Sequence, residues 1–152
     1  MMKRICISLT YFLLSFNVGL SQWIQTGGPE GGFVDCIAVS GTNVFATSSG
    51  GGVFRWTNGG ATWSSVNTGL PSMSVECIAV GGDILFVGMS DSAGVFLSTN
   101  NGSTWSGVGS RLMGNSVYAL VASGTNLFAA TDGGMFLTTN NGATWTKQRS
   151  GI

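Results

Sequence analysis

The spacing of the tryptophans constrains the fold of this chain more than any other feature of its sequence. Trp23, Trp63, Trp105 and Trp145 lie 40, 42 and 40 residues apart. A fixed period near 40 residues indicates a repeat architecture, in which each unit buries its apolar surface against the next. Other positions keep the same period, and these are Val34, Val75 and Val117; Phe45, Phe86 and Phe128; and Phe54, Phe96 and Phe136.

Each repeat contains four short runs of β-forming residues. In the first repeat the predicted strands are Val34–Val39, Val44–Ser48, Val53–Thr57 and Ala61–Val66. In the third repeat they are Val117–Ala122, Leu127–Thr131, Met135–Thr139 and Ala143–Lys147. The gaps between the runs are short and rich in glycine and asparagine, so consecutive strands are predicted to form antiparallel hairpins.

Four antiparallel strands in about 40 residues correspond to one blade of a β-propeller. We therefore expect an all-β fold in which residues 22–152 form a partial, open β-propeller. Its three blades are predicted at about 33–68, 74–109 and 116–149. Residues 22–26 repeat the sequence around Trp63 and are predicted to add an extra outer strand. A helical repeat would need long helical periods, a β-solenoid would need parallel coils, and a β-sandwich would leave the tryptophan period unexplained.

One polar phrase recurs between the third and fourth predicted strands of each repeat. It reads TTNNGATW at 138–145, STNNGSTW at 98–105 and TNGGATW at 57–63. Asparagine and glycine tolerate the positive φ of a tight turn, and threonine or serine can bind local backbone groups. The tryptophan that follows supplies a large apolar surface to hold the hairpin against its neighbour. The phrase is therefore interpreted as a structural device used once per blade.

The phrase resembles the Asp-box, or BNR repeat, with asparagine where that motif usually has aspartate. The residues that carry the resemblance are Asn58, Gly60, Thr62 and Trp63; Ser98, Asn100, Gly102, Thr104 and Trp105; and Thr138, Asn140, Gly142, Thr144 and Trp145. The first copy fits less well, because Trp56 stands at the hydroxyl position. The resemblance implies a propeller blade like those of sialidases, xyloglucanases, sortilin-type receptors, photosystem II assembly factors and long secreted bacterial repeat proteins. In those families the box lies on outer turns, away from the active face.

The first 21 residues have the layout of a secretory signal peptide. A basic start precedes a mostly apolar run, and Gly19 and Ser21 place small residues at the −3 and −1 positions before Gln22. Polar residues interrupt the run, which is shorter than the roughly 20 residues of a membrane-spanning helix. We expect removal of residues 1–21, no integral membrane segment after cleavage, and a secreted, periplasmic or cell-surface location.

Cys36 and Cys77 occupy the same place in the first two repeats. An exported pair of cysteines can form a disulfide. Each nevertheless lies in an apolar run, VDCIAV or VECIAV, where a free cysteine packs as a small hydrophobic residue. Buried free thiols are therefore favoured over a bridge.

The composition argues against several classes of chemistry. The chain has no histidine, which excludes Ser-His-Asp catalysis, Cys-His catalysis and histidine-ligated zinc. Its six basic residues are balanced by six acidic ones and form no basic patch, which argues against a nucleic-acid partner. The glycines are assigned to turns, so they form no phosphate-binding loop. We expect neither a cofactor nor a metal.

One pair of carboxylates is the remaining catalytic candidate. Asp35 and Glu76 occupy equivalent positions in successive repeats, where the third repeat has Tyr118. Adjacent inner strands can bring two such carboxylates together, as glycoside hydrolysis requires, and the resemblance to xyloglucanases and sialidases points the same way. A polar residue at the start of an inner strand more often faces a solvated channel. Because the sequence also lacks an arginine cluster and long cleft loops, we expect no catalysis.

Three blades are fewer than the four to eight of closed propellers. An open arc exposes two apolar flanks, which monomers rarely tolerate. The favoured interpretation is a fragment of a longer secreted or cell-surface repeat protein whose missing blades cover the flanks, and the alternative is a small protein whose arcs self-associate. The predicted function is a non-catalytic scaffold or binding module for an unknown protein or glycan. The alternatives are a fragment of a carbohydrate-active enzyme and an assembly factor for a membrane complex.

Overall fold

Three antiparallel sheets make up the part of the chain that the computed structural model describes, residues 28–29, 32–57, 62–109 and 112–148. Each sheet has four strands, and the described residues contain no α-helix. The predicted all-β fold of three four-stranded antiparallel blades is therefore confirmed. The predicted signal peptide at 1–21 and the predicted outer strand at 22–26 lie outside the described residues.

Each blade is a meander in which the strand order follows the sequence. Blade A consists of β1 (Val34–Ser40), β2 (Asn43–Ser48), β3 (Gly52–Thr57) and β4 (Ser64–Ser65). Blade B consists of β5 (Val75–Gly81), β6 (Ile84–Met89), β7 (Val95–Ser98) and β8 (Ser106–Val108). Blade C consists of β9 (Val117–Ser123), β10 (Asn126–Thr131), β11 (Gly134–Thr138) and β12 (Thr146–Lys147). The first strands of neighbouring blades contact each other, β1 with β5 and β5 with β9.

The fourth strand of each end blade is shorter than predicted. The sequence predicted strands at Ala61–Val66 and Ala143–Lys147, whereas β4 and β12 have two residues each. In blade C the missing residues belong to the preceding turn, where the Ala143 N–H donates to the Asn140 carbonyl at 3.1 Å. The outer strand therefore begins only after Trp145, once the turn has closed.

Two apolar cores fill the junctions between blades. In the first junction, residues of blade A pack against residues of blade B, and its buried members include Phe45 and Val53 of blade A with Ile78, Leu85 and Val87 of blade B. In the second junction, blade B packs against blade C, and the buried members include Cys77, Ala79 and Phe86 of blade B with Leu120, Leu127 and Ala129 of blade C.

Blade B is apolar on both of its faces. Consecutive residues of β5 are buried in different junctions, since Ile78 packs towards blade A and Ala79 towards blade C. This follows from the alternation of side chains along a strand. Fully burying a large aliphatic or aromatic side chain contributes about 1.5–3 kcal/mol, so the two junctions provide most of the apolar stabilisation of the arc.

Gly88 allows blades B and C to approach closely at the second junction. A Cβ atom at this position would lie 2.6 Å from the Sγ atom of Cys77 and 2.6 Å from a methyl group of Val117. Real Cβ atoms do not reach such distances, so a side chain here would push the two inner strands apart.

Cys36 and Cys77 are both free thiols. Cys77 is buried in the second junction, and burial raises the pKa of its thiol to about 12. Cys36 is only partly buried. Because the thiolate is the reactive form, the raised pKa and the burial of Cys77 both make this thiol unreactive.

We predict that Gly88→Ala destabilises the protein by about 1–3 kcal/mol through overpacking of the second junction. Denaturant unfolding monitored by tryptophan fluorescence measures the effect. Gly107→Ala is the matched control, because the nearest atoms to a Cβ there belong to the Phe96 ring and lie at 3.4 Å or more, an ordinary van der Waals distance. Equal stability of the two variants would contradict the close approach described here.

We also predict that iodoacetamide at pH 8 modifies Cys36 and spares Cys77. The raised pKa keeps Cys77 protonated at this pH, and its burial limits access. Peptide mapping by mass spectrometry before and after unfolding measures both sites. Rapid labelling of Cys77 in the folded protein would show that the second junction opens readily.

Candidate functional site

One end of the three blades carries two kinds of loop. These are the connections between blades and the turns between the second and third strands of each blade. They lie where the first strand of each blade, its inner strand, begins. Backbone hydrogen bonds join them across blades: the Gly50 N–H donates to the Met73 carbonyl at 3.3 Å, and the Gly114 N–H donates to the Ser92 carbonyl at 2.8 Å. We call this surface, formed by residues 33–35, 49–51, 72–76, 90–94, 112–118 and 132–133, the connector face.

A β-bulge lies near the start of every inner strand. The pairing of β1 with β2, of β5 with β6 and of β9 with β10 shifts register by one residue at this point. The bulged residues are Asp35, Glu76 and Tyr118, the three positions that the sequence aligned. A bulge bends the strand and re-aims the extra side chain. Asp35 and Tyr118 are exposed and Glu76 is partly exposed on the connector face.

Hydroxyl groups hold two carboxylates of this face in place. The Ser49 hydroxyl donates to Asp35 Oδ2 at 2.8 Å. The Ser72 hydroxyl donates to Asp91 Oδ2, and the Ala93 N–H donates to Asp91 Oδ1 at 3.3 Å. Both carboxylates are exposed to solvent and act as hydrogen-bond acceptors. They are therefore positioned as surface acceptors rather than as sheltered proton donors.

Further serine contacts connect the blades beneath this surface. The Ser116 hydroxyl donates to the Ser90 carbonyl at 2.8 Å, and the Ser90 hydroxyl donates to the Ser74 carbonyl at 3.2 Å. The Ser92 and Ser116 hydroxyl oxygens lie 3.3 Å apart. These hydroxyl groups tie the connectors that contain Ser74 and Ser116 to the turn between β6 and β7, and they fix the connector face to the rigid sheets.

Large apolar side chains are exposed on the same face. Phe33 precedes β1, Met73 precedes β5, Met113 precedes β9, and Tyr118 occupies the third bulge; all four are exposed. No sequence motif points to Phe33, Met73 or Met113 as functional. Each is an apolar residue in a connector that is otherwise rich in Gly, Ser and Asn. This pattern indicates a shared surface only when the blades place the connectors side by side.

The described residues show no sheltered centre around the candidate catalytic pair. A cavity of about 270 Å³ lies between the outer strands of blade B and the following connector, and its lining includes Val95, Phe96 and Met113 but neither Asp35 nor Glu76.

Within the described part of the chain, no group of three or more His, Cys, Asp or Glu residues is placed to hold a metal ion. No helix there has the length and hydrophobicity to span a membrane.

The Asp-box-like turn of blade B lies at the opposite end of its strand from the connector face. The Asn100 amide organises this turn: its Oδ1 accepts from the Thr104 N–H at 2.9 Å and from the Ser98 hydroxyl at 2.8 Å, and its Nδ2 donates to Thr104 Oγ1 at 2.8 Å. The buried Ser98 Oγ accepts from the Gly102 N–H at 2.9 Å. Asn101 adopts a φ of 55° in the middle of the turn.

The turn of blade C repeats the same set of bonds. Asn140 Oδ1 accepts from the Thr144 N–H and from the Thr138 hydroxyl, each at 2.9 Å, and Asn140 Nδ2 donates to Thr144 Oγ1 at 2.9 Å. The Gly142 N–H donates to Thr138 Oγ1 at 3.0 Å. Polar groups of both turns are therefore used up internally, which leaves the turns little capacity to bind a ligand through these side chains.

Each of these turns also packs against the preceding blade. A Cβ atom at Gly102 would lie 3.2 Å from the Phe45 ring and 3.3 Å from a Val66 methyl, both in blade A, and one at Gly142 would lie 2.7 Å from a methyl of Val108 in blade B. The Trp105 Nε1–H donates to the Val66 carbonyl at 2.7 Å. The turn therefore closes its own hairpin and also holds its blade against the preceding one.

The corresponding turn of blade A is described only in part. Asn58 and Gly60 lie outside the described residues, Thr62 is exposed and Trp63 is partly buried. Arg55 of β3 reaches across the first junction, where its Nη1 donates to the Asn101 carbonyl in the turn of blade B at 2.9 Å.

A match to a known protein family covers most of this chain. The DUF6242 beta propeller domain matches residues 35–151. The chain belongs to this family. The match covers the described sheets from Asp35 onwards and agrees with the Asp-box-like propeller resemblance found in the sequence. No curated protein matches the chain.

Solved propeller structures share the fold of this DUF6242 domain. YCF48 bound to D1 peptide has a TM-score of 0.65 and 16% identity, with 81% of this chain and 42% of that chain covered. The GH74 xyloglucanase from Xanthomonas campestris has a TM-score of 0.60 and 21% identity, with 83% and 22% covered. The extracellular domain of BT4673 from B. thetaiotaomicron has a TM-score of 0.64 and 14% identity, with 78% and 16% covered. The chain therefore spans less than half the length of each of these proteins.

We predict that Trp105→Phe destabilises the protein more than Trp145→Phe, by about 1–3 kcal/mol. Both tryptophans are buried, but only Trp105 donates its indole N–H to a backbone carbonyl, whereas the Trp145 Nε1 has no partner. Removing the indole N–H of Trp105 leaves the buried Val66 carbonyl without this hydrogen bond, and an unsatisfied buried acceptor costs about 1–3 kcal/mol of stability. Urea unfolding of both variants measures the difference, and equal losses would show that the indole hydrogen bond contributes nothing to the first junction.

Proposed function

We propose that this DUF6242 domain is an exported, non-catalytic propeller module that binds a protein partner through the connector face. The observation that carries the proposal is the composition of that face. Exposed aromatic and methionine side chains lie beside the fixed carboxylates Asp35 and Asp91 and the bulged Glu76. Aromatic and methionine anchors surrounded by polar groups are typical of protein interfaces.

The charge of the connector face favours a basic partner. Of the carboxylates in the described residues, Asp35, Glu76, Asp91 and Asp132 lie on this face, and Asp83 lies at the opposite end of the strands. Charge complementarity steers association and selects partners. The proposed ligand is therefore a protein segment with lysine or arginine residues next to apolar ones.

The comparisons support this proposal at the level of the fold. The YCF48 structure carries a D1 peptide, so a propeller of this architecture can hold a peptide. The similar BT4673 domain is extracellular, which agrees with the export predicted from residues 1–21. Both similarities are below 25% identity and concern the fold alone, so the partner is inferred from the side chains of the connector face.

A glycosidase is the rival function, because Asp35 and Glu76 occupy equivalent bulges and GH74 enzymes share the fold. The rival requires that the purified protein hydrolyse xyloglucan or a sialoside, and that Asp35→Asn and Glu76→Gln each abolish this hydrolysis. We expect no hydrolysis that depends on either carboxylate. Hydrolysis lost in both variants, with their fold intact by circular dichroism, would replace the binding proposal.

We predict that the protein binds basic, aromatic-containing peptides more tightly than acidic ones, and that the double variant Asp35→Asn/Glu76→Gln weakens this binding about tenfold. Two lost charge contacts of about 0.7 kcal/mol each would produce a change of that size. Fluorescence anisotropy with labelled peptides of both charges, at low and high salt, measures the affinity. Immobilised β-glucan and sialoside probes test a glycan ligand in the same series.

Asp83→Asn is the matched control for this experiment. It removes one negative charge, as the single variant Asp35→Asn does, from an exposed position in the turn between β5 and β6, at the opposite end of the strands. Tyr118→Ala removes an exposed anchor from the connector face and is expected to weaken binding without a change in salt dependence. Equal effects of Asp83→Asn and of the single variant Asp35→Asn would show that net charge, and not the connector face, determines binding.

A further inference from the structure

The two end blades of the arc each present an apolar sheet face that no other described blade covers. We call the outer face of blade A the leading flank, formed by Ile37, Val39 and Val44. We call the outer face of blade C the trailing flank, formed by Ala119, Val121, Phe128 and Ala130. Ile37, Val39 and Val121 are 62%, 64% and 60% exposed. β-branched residues exposed to this extent on an open sheet face mark an interaction surface.

The leading flank repeats faces that are buried elsewhere in the same chain. Ile37 holds the register position of Ile78 and Leu120, since all three pair with the fourth residue of the next strand in the meander. Ile78 is 5% exposed and Leu120 is 7% exposed, because each packs against the preceding blade. Blade A therefore carries the surface that receives a preceding blade.

The trailing flank repeats the complementary faces. Val121 holds the register position of Ala79, which is 6% exposed and packs against the following blade. Phe128 holds the position of Phe45 and Phe86, which are buried in the first and second junctions. Blade C therefore carries the surface that receives a following blade.

We propose that a second copy of this chain covers both flanks, with the trailing flank of each copy packed against the leading flank of the other. The contact would repeat the chemistry and register of the two internal junctions. Two arcs of three blades give six blades, which falls within the range of about four to eight blades found in closed propellers. The pairing has two-fold symmetry, the commonest symmetry of soluble oligomers, and it closes without leaving a free flank.

The internal junction supplies the geometry for a direct test. A Cβ atom at Gly81, the last residue of β5, would lie 3.6 Å from the Cβ of Ala122 in β9. This distance suits a disulfide, in which Cβ atoms lie about 3.5–4.5 Å apart. By register, Ser123 repeats Gly81 and Val39 repeats Ala122. The proposed contact therefore brings Ser123 of one copy next to Val39 of the other.

The first experiment is sedimentation velocity of the purified protein over a hundredfold range of concentration. We expect a species of twice the mass of the purified chain. Ile37→Lys or Val121→Lys places a charge in the contact, and each is expected to give a monomer that keeps its β-sheet circular dichroism. Asp83→Lys, an exposed change away from both flanks, is expected to remain a dimer.

The second experiment uses the variant Val39→Cys/Ser123→Cys under mild oxidation. We expect a cross-linked dimer on a non-reducing gel, without a ladder of larger species, because a two-fold ring closes both contacts within one pair. The single variants Val39→Cys and Ser123→Cys control for pairing with the native cysteines. Gly81→Cys/Ala122→Cys should cross-link within one chain and shows that the chosen geometry permits a disulfide.

Three results would overturn the proposal. A monomer at all concentrations would show that no second copy covers the flanks, as would be expected if blades of a longer chain do so. A ladder of cross-linked species would show open, filament-like association instead of a closed pair. A dimer that survives both lysine variants and gives no Val39–Ser123 cross-link would place the contact elsewhere on the surface.

Discussion

The structure depends on face-to-face packing of four-stranded sheets that are apolar on both sides. A strand alternates its side chains between two faces, and in blade B both sets are apolar, so this sheet requires a neighbour on each side. Blades A and C meet that requirement through the two junction cores. The outer faces of blades A and C also carry apolar side chains but have no neighbour among the described blades, and Ile37 and Val121 remain exposed there.

The Asp-box-like turns make the junctions specific. In blades B and C one asparagine side chain satisfies the backbone of its own turn, so the turn has a fixed shape with few free polar groups. That shape presents glycine and tryptophan to the outer strand of the preceding blade. A repeated polar phrase thus acts through packing, and its polar residues serve to position its apolar ones.

The sequence was a good guide to the blades and a poorer guide to the candidate site. Regular spacing of Trp63, Trp105 and Trp145 and the short turn sequences predicted three four-stranded blades, because hairpins are local and their turn residues are recognisable. Periodicity did not predict the shortened β4 and β12. In blade C the Ala143 and Thr144 N–H groups donate to Asn140, and this holds residues of strand-like composition within the turn. It also did not predict that Asp35, Glu76 and Tyr118 occupy bulges, because a bulge is defined by the partner strand.

The sequence by itself determined the repeat unit, the antiparallel connectivity within each blade and the chemistry of the turns, because all three depend on residues close together in the chain. Only the tertiary structure decided which apolar residues are buried. Ile37 and Ile78 are equivalent in sequence, yet one is exposed and the other lies in a junction, because burial depends on whether a blade stands beside them. The connector face was likewise decided by tertiary structure, since Phe33, Met73 and Met113 become one surface only when three blades stand side by side.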